Sequence, residues 1–392
     1  MMSQVSERAV RGIIEHFREM PDPRSKVNRL HDLGEVIVIS VLAVIANADG
    51  PAAIAEWAEL NWRWLRRCLR LRSGLPSHDT IGRVLEALQP QAFQKCFARW
   101  LDSLCEAADE QAAEEGALPR RHLAIDGKTL RRSHDRRRGL GPLHLVSVWA
   151  TEQGITLGQL ATAEKSNEIT AIPQLLKEVN VADAIVTIDA AGCQKNIAHD
   201  IVEGGGDYVL ALKGNQEKLQ EAVCDWVETN MADDFAGLPV SRLEERETSH
   251  GRTEHRTYYH IAVPKELRPQ CKAWRRLRTL GLVVRMYEQQ GEQFSEVRYY
   301  LSSLRRGVKT FARAVRGHWK IENTLHWSLD MTFREDESRL RGRRSADNLA
   351  WLRRFALTLL KQHPGKQSLV MKRRMAGWSS DFLLEVLVGA GS

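Results

Sequence analysis

Apolar residues recur at helical spacing through the first 105 positions. The pattern predicts four helices, Val36–Ala46, Ala52–Leu71, Asp79–Leu88 and Ala92–Cys105, with Ser77 as the N-cap of the third. Proline and glycine breakers separate them. The eleven-residue run Val36–Ala46 is too short to span a bilayer, which takes about 18 residues, so it predicts a buried helix. The acidic, alanine-rich stretch 106–119 predicts a linker.

The pattern changes at residue 121, where short apolar runs typical of strands begin. They are His122–Asp126, Leu143–Ala150, Gly154–Ala161, Ala184–Ile188 and Tyr208–Leu212. Helical patterns at 168–179 and 194–203 separate the last three runs. Three strands followed by helix, strand, helix and strand predict a mixed α/β sheet.

A β-rich block interrupts this unit. After a helical stretch that begins at Gln216, alternating patterns cover Ser241–Val263, broken at His250-Gly251, and Thr279–Leu304, broken at Gln290-Gly291. The helical period returns at 310–327 and again at 347–361.

Charge and composition indicate which kind of partner the protein binds. The 392 residues carry 57 basic and 50 acidic side chains, a net charge of +7, and the arginines cluster at 120–138 and 334–354. Guanidinium groups grip phosphate oxygens in pairs, so the clusters favour a nucleic-acid partner; two solvated loops are the alternative. The six cysteines show no regular spacing, which predicts free thiols. The N-terminus has no secretion pattern, which predicts a soluble cytoplasmic protein.

Two acids stand out because each ends an apolar strand pattern. Asp126 and Asp189 in one sheet could hold one or two Mg²⁺ ions with a third acid, or could simply cap the turns that follow. Candidates for the third acid are Glu322, Asp330, Glu335 and Asp336. Spacing alone does not choose among them.

Several motifs in order resemble one family. They are DPR at 22–24, PSHDT at 76–80, HLAIDGKTLR at 122–131, EKSNEI at 164–169, TIDA at 187–190, LALKGNQ at 210–216, HWKIENTLHWSLD at 318–330 and FRED at 333–336. Together they resemble the ISAs-type insertion-sequence transposases, the group of the H-repeat-associated proteins. The resemblance covers roughly residues 15–360.

The resemblance implies an RNase H-like mixed-sheet catalytic core with a β-rich insertion, preceded by an N-terminal helical domain. It implies a DDE triad, Asp126, Asp189 and Glu322, which binds Mg²⁺ or Mn²⁺ as two ions. The expected division is a helical, DNA-end-binding domain at 1–105, a linker at 106–119, the core at 120–216, the insertion at 217–309 and the rest of the core at 310–392. Expected partners are the element ends and target DNA, with a homodimer or larger assembly on DNA, associated with the nucleoid.

Related transposases carry Tyr, Arg and Lys around the glutamate where this chain has Val315, His318 and Leu329. Nearby arginines or His326 are therefore expected to contact the terminal nucleotide. The predicted DNA-contacting set is Lys128, Arg131, Lys213, Asn215, His318, His326, Arg334 and Arg339. Lys128 and Lys213 could instead form salt bridges, Asn215 and Gln216 could cap a helix, and Ser77–Leu88 could be a recognition helix or an ordinary bundle helix.

Two other functions remain open at this point. One is a DNA-binding protein that has lost transposition, and the other is a metal-dependent nuclease without preference for particular ends.

Overall fold

A single mixed sheet of nine strands organises the chain. The structure, a computed structural model, describes residues 10–99, 120–162, 168–249, 252–289 and 292–388, apart from 11, 26 and 28. The strand order is β3-β2-β1-β4-β5-β9-β8-β7-β6. The strands are β1 His122–Leu130, β2 Leu143–Ala150, β3 Ile155–Thr162, β4 Ile185–Ile188, β5 Asp207–Leu212, β6 Val240–Ser249, β7 Arg252–Ala262, β8 Thr279–Gln289 and β9 Glu292–Ser302.

The first five strands form the predicted core. Strands β1, β2 and β3 form an antiparallel meander, and β4 and β5 add in parallel beside β1. Helices α5 (Glu168–Glu178) and α6 (Lys195–Glu203) make the two crossovers and pack their apolar faces on one side of the sheet. This arrangement confirms the mixed α/β, RNase H-like class.

The insertion continues the same sheet instead of forming a separate one. Helix α7 (Glu217–Met231) follows β5, and the hairpins β6–β7 and β8–β9 flank the predicted breaks at 250–251 and 290–291. Strand β9 then pairs antiparallel with β5, from Val209↔Ser302 to Leu212↔Tyr299. A four-residue helix, α8 (Arg268–Cys271), lies between β7 and β8, and helix α9 (Val308–Lys320) begins six positions after the end of β9.

The N-terminal helices pack with the C-terminal ones in one apolar core. The N-terminal helices are α1 Leu33–Ile45, α2 Pro51–Leu60, α3 Trp62–Cys68 and α4 His78–Ala87. The helices after α9 are α10 Trp327–Met331, α11 Arg343–Gln362, α12 Leu369–Trp378 and α13 Ser380–Val388. Helix α1 is buried over most of its length, as predicted from its apolar run, and lies against α11. Helical residues also occupy 90–99; the rest of the predicted helix 92–105 and the linker 106–119 lie outside the described residues.

The predicted N-cap Ser77 is confirmed, because its hydroxyl accepts a hydrogen bond from the backbone of Thr80 at 3.3 Å. Helix α4 buries Ile81, Val84 and Leu85. Its last turn is fixed to α11, where the Asn348 amide donates to the Leu85 carbonyl at 2.7 Å. The helix therefore has the buried face of a bundle helix, while a role in reading DNA stays a prediction.

No disulfide joins the five described cysteines (Cys68, Cys96, Cys193, Cys224 and Cys271); Cys105 lies outside the described residues. No helix in the described part of the chain is long and apolar enough to cross a membrane.

Candidate active site

The register of two parallel strands brings Asp126 and Asp189 side by side. Ile125 of β1 pairs with Ile188 of β4, and this is the last pair between the two strands. The expectation that β1 ends at Asp126 is wrong, because β1 continues to Leu130 through its pairing with β2. What ends at Asp126 is the pairing with β4, so the two acids occupy the point where the strands separate.

Glu322 reaches this point on a helix that is docked closely against β1. It lies in a π-helical turn, Ile321–His326, between α9 and α10, and its side chain is exposed. One turn earlier, Gly317 lies so close to His122 that a Cβ there would be 2.1 Å from the imidazole Nδ1. Next to it, His318 Nδ1 lies 3.1 Å from the hydroxyl of Thr187 on β4. The missing side chain at 317 therefore lets α9 approach the sheet and carry Glu322 to the two aspartates.

The electrostatics of Asp126 show that the acids converge. The pKa of Asp126 is raised to about 7, chiefly by burial and in addition by the negative charges of Asp189, Glu322 and Glu168. His326 Nδ1 is 3.5 Å from Asp126 Oδ2, but burial lowers the pKa of His326 to about 3. The imidazole is therefore neutral at physiological pH, and its contact with Asp126 is polar and not an ion pair.

Asp189 is held by the loop that follows it. Its Oδ1 accepts hydrogen bonds from the backbone of Ala191 at 3.0 Å and Gly192 at 3.4 Å. The Asn215 side-chain amide donates to the carbonyl of Ala190, and Gln216 Nε2 donates to that of Cys193 at 3.1 Å. Asn215 and Gln216 therefore brace the Asp189 loop; neither side chain caps helix α7.

The other candidates for the third acid are already neutralised. The side chain of Lys128 is 7% exposed, and its Nζ binds Asp330 at 2.7 Å and Asp336 at 3.1 Å. Glu335 and Arg354 form a fully buried pair at 2.8 Å. Among the four candidates, Glu322 is the acid whose negative charge raises the pKa of Asp126, and it forms no ion pair with a cation in the described ranges.

The predicted DNA-contacting residues fall into two groups. Lys128 lies in the ion pairs above, Arg131 Nε binds Asp336 at 3.1 Å, and Arg334 binds Glu337, while His318 and His326 face inward. Lys213 and Arg339 are exposed and form no ion pair with a described acid. Contact with DNA stays a prediction for all of them.

Sequence reasoning missed Glu168, although it lies within the quoted EKSNEI motif. Glu168 begins α5, is 5% exposed and contacts His144 Nε2 at 2.6 Å. A Cβ on Gly127 would lie 2.3 Å from Glu168 Oε1, so this glycine allows the acid to approach the strand beside Asp126. The signal available from sequence was an acid at the N-terminus of the helix that follows β3.

The acids fit a divalent metal by chemistry. Within the described ranges, no three His, Cys, Asp or Glu side chains are already grouped to hold a metal ion. Asp126, Asp189 and Glu322 nevertheless supply the hard oxygen donors that Mg²⁺ and Mn²⁺ prefer. Their mutual repulsion, expressed in the raised pKa of Asp126, is the kind that a bound cation relieves.

Comparison with known proteins shows the family to which the chain belongs. The family model described as "Transposase DDE domain" matches residues 117–359, and the one described as "DDE_Tnp_1-associated" matches residues 14–101. The chain belongs to the DDE transposase family. The resemblance drawn from the motifs is thereby confirmed, and the three acids all lie within the matched domain.

Relatives of this DDE transposase family member extend over nearly the whole chain. The "H repeat-associated putative transposase YhhI" of Escherichia coli K12 is 35% identical over 384 residues, which are 97% of this chain and 98% of its own. The shorter "Inactive transposase YbfQ" of the same organism is 32% identical over 73 residues, 19% of this chain and 87% of its own. A piggyBac transposase solved in a synaptic complex with hairpin DNA has a TM-score of 0.38 at 12% identity, covering 100% of this chain and 79% of that one.

Proposed function

We propose that this chain cuts DNA at the ends of an insertion sequence and transfers those ends into target DNA. The observation that carries the proposal is that the candidate acids differ in whether a cation of the chain binds them. The negative charges of Asp189 and Glu322 raise the pKa of Asp126, whereas Asp330, Asp336 and Glu335 are each bound to a cation of the chain.

Asp126, Asp189 and Glu322 would together hold Mg²⁺ or Mn²⁺, as two ions. Bound Mg²⁺ or Mn²⁺ supplies Lewis-acid stabilisation of the charge that develops on the scissile phosphate. The loop hydrogen bonds to Asp189 fix one carboxylate, and the close docking of α9 fixes Glu322.

The reaction has two phosphoryl-transfer steps. Water attacks the phosphorus at the element end, the bond to the 3′ oxygen breaks, and that oxygen takes a proton to give a free 3′-OH. The 3′-OH then attacks a phosphodiester of the target, and the target's own 3′ oxygen leaves. Neither step needs a protein nucleophile, and Asp126, Asp189 and Glu322 serve as ligands throughout.

The proposed partners are the element ends and target DNA, held by a homodimer or larger assembly in the cytoplasm at the nucleoid. The exposed Lys213 and Arg339 are the predicted contacts that are free to meet phosphate groups.

The direct test is cleavage of DNA that carries the gene's own flanking ends, with Mg²⁺ or Mn²⁺ against EDTA. We expect metal-dependent nicking at the ends that falls at least about 100-fold in Glu322→Gln, since a required ligand is lost. The matched control is Glu221→Gln, an exposed glutamate on α7 that should leave cleavage unchanged. Cleavage that survives in Glu322→Gln would overturn the assignment of the third acid.

A second candidate function is that of a DNA-binding protein without catalysis. We consider it because one relative is named "Inactive transposase YbfQ". Tight binding to the ends without nicking under any metal would favour it. Nicking that ignores the ends would instead indicate a nuclease without end specificity.

A further inference from the structure

A basic segment links β7 to β8 and belongs to neither arginine cluster recognised from the sequence. We call residues 264–278 the basic loop. Its basic side chains outnumber its single acid, Glu266, by six to one, and all are exposed: Lys265, Arg268, Lys272, Arg275, Arg276 and Arg278.

The basic loop is held rigidly against the sheet. Leu267, Cys271 and Trp274 alternate with the basic residues and are buried in the apolar core. The two ends of the loop are joined by a backbone hydrogen bond from Val263 to the Arg278 carbonyl at 3.0 Å. In its middle, the Tyr208 hydroxyl donates to the Arg275 carbonyl at 2.9 Å. The cations are therefore displayed on a fixed frame, which lowers the entropy lost when a ligand binds.

The basic loop lines an open cavity of about 700 Å³, and none of the described residues that line it is acidic. Arg275 is paired with Glu203 at 3.0 Å and Arg276 with Asp207 at 3.4 Å. The other four cations, Lys265, Arg268, Lys272 and Arg278, form no ion pair with any acid in the described ranges. An open, positively charged concavity of this kind favours an anion.

This surface lies at the end of the sheet opposite the catalytic acids. Asp207, which begins β5, pairs with Ile185, the first residue of β4, and Asp189 comes four residues later, immediately after β4 ends. At about 3.3 Å per residue the two levels are roughly 13 Å apart. Arg120 binds Asp207 at this same end, and Arg305 and Arg306 follow β9 there.

We propose that the basic loop is a second DNA-binding surface, which grips the phosphate backbone of a duplex segment other than the one at the catalytic acids. Duplex DNA presents one negative charge per roughly 1.7 Å of its axis, so several exposed cations on one loop can contact neighbouring phosphates. Arginine suits this ligand because its planar group pairs with two phosphate oxygens at once. The inference rests on the proposed function only in taking DNA as the ligand, since it uses neither the acids nor a metal.

The test measures binding of the full chain to a duplex of about 30 base pairs in EDTA, over a range of salt concentrations. The variant is Arg268→Gln/Lys272→Gln/Arg278→Gln. The matched control, Lys177→Gln/Lys366→Gln/Arg374→Gln, removes three exposed cations from other elements. Thermal unfolding of both variants checks that the fold is kept.

We expect the loop variant to raise Kd by about tenfold or more at 0.1 M salt and to reduce the slope of log K against log salt by about 2 to 3. The control should leave both within about twofold of wild type. Equal effects in the two variants would overturn the proposal, since they would report net charge alone. Tripolyphosphate binding that is lost in the loop variant, with DNA binding unchanged, would also overturn it and assign the cavity to a small phosphate ligand.

Because binding is measured in EDTA, this result is independent of the cleavage test. A chain that binds through the basic loop but never nicks DNA would refute the proposed catalysis and leave the second surface standing.

Discussion

Gly317→Ala tests whether the docking of α9 positions Glu322. A Cβ at this position would lie 2.1 Å from Nδ1 and 2.2 Å from Cε1 of His122, whereas ordinary contacts begin at 3.4 Å. The helix or the imidazole must therefore move by about 1 Å.

His122 has little freedom to yield. It is 1% exposed, its Nε2 lies 3.0 Å from the Thr187 hydroxyl, and its Nδ1 lies 3.1 Å from the Thr151 hydroxyl. We therefore expect α9 to shift and to move Glu322, five residues along, away from Asp126. A displacement of about 1 Å in a catalytic group can cost roughly 100-fold in rate.

The stability change should be much smaller than the activity change. Overpacking costs about 1–3 kcal/mol, while replacing a helical glycine with alanine returns about 1 kcal/mol. Cleavage of end DNA with Mg²⁺ and unfolding in urea measure the two effects separately.

The control is Gly307→Ala, at the N-cap of the same helix, where the nearest atom to an added Cβ is the Arg305 carbonyl oxygen at 3.8 Å. It should cleave within about threefold of wild type. Wild-type cleavage by Gly317→Ala would refute the reasoning, and so would an equal loss in the control.

Three further predictions concern stability, each measured as the free energy of unfolding in urea. Glu168→Ala removes the carboxylate that lies 2.6 Å from the buried His144 Nε2 and should cost about 1–3 kcal/mol. Glu168→Gln keeps a hydrogen-bond acceptor there and should cost less than half as much, so equal losses in the two variants would contradict this prediction. Burial raises the pKa of Asp347 to about 6, so the contribution of this carboxyl group to wild-type stability should fall as pH rises from about 4 to 6. Asp347→Asn should therefore be more stable than wild type by up to about 3 kcal/mol at pH 8 and equal to it at pH 4. A difference that does not change with pH would contradict this prediction. Arg354→Met leaves the Glu335 carboxylate buried and alone and should cost about 3–5 kcal/mol, while Arg354→Met/Glu335→Leu should recover most of it; a single-variant loss below about 1 kcal/mol would refute the role of this pair.

Much of the fold could be predicted from local patterns. The apolar run at 36–46, the five core strands and the two outer hairpins all follow periodicity that neighbouring residues set. The division of the predicted helix 52–71 at Asn61 could not be predicted, because the apolar spacing continues across the break. Nor could the pairing of β5 with β9, which joins residues about 90 positions apart.

The candidate site was predictable to a different extent. Asp126 and Asp189 stood out as acids after apolar strands, but choosing Glu322 required the family resemblance. In the structure the competing acids are bound by Lys128 and Arg354, and such pairings between distant segments leave no local pattern in the sequence. Glu168 was missed for the same reason, because its approach to the strand beside Asp126 depends on the missing side chain of Gly127.

The continuity of the nine-stranded sheet restricts where chains of this architecture can change in length. Strand β9 covers the edge of β5, so deleting it would expose an apolar strand of the core to pairing with other molecules. Strand β6, at the outer edge, instead carries a charged sequence, VSRLEERETS, that discourages such pairing. Changes in the length of the outer hairpin should therefore be tolerated better than loss of β9, because β9 closes the sheet and leads into the helix that carries Glu322, the proposed third acid.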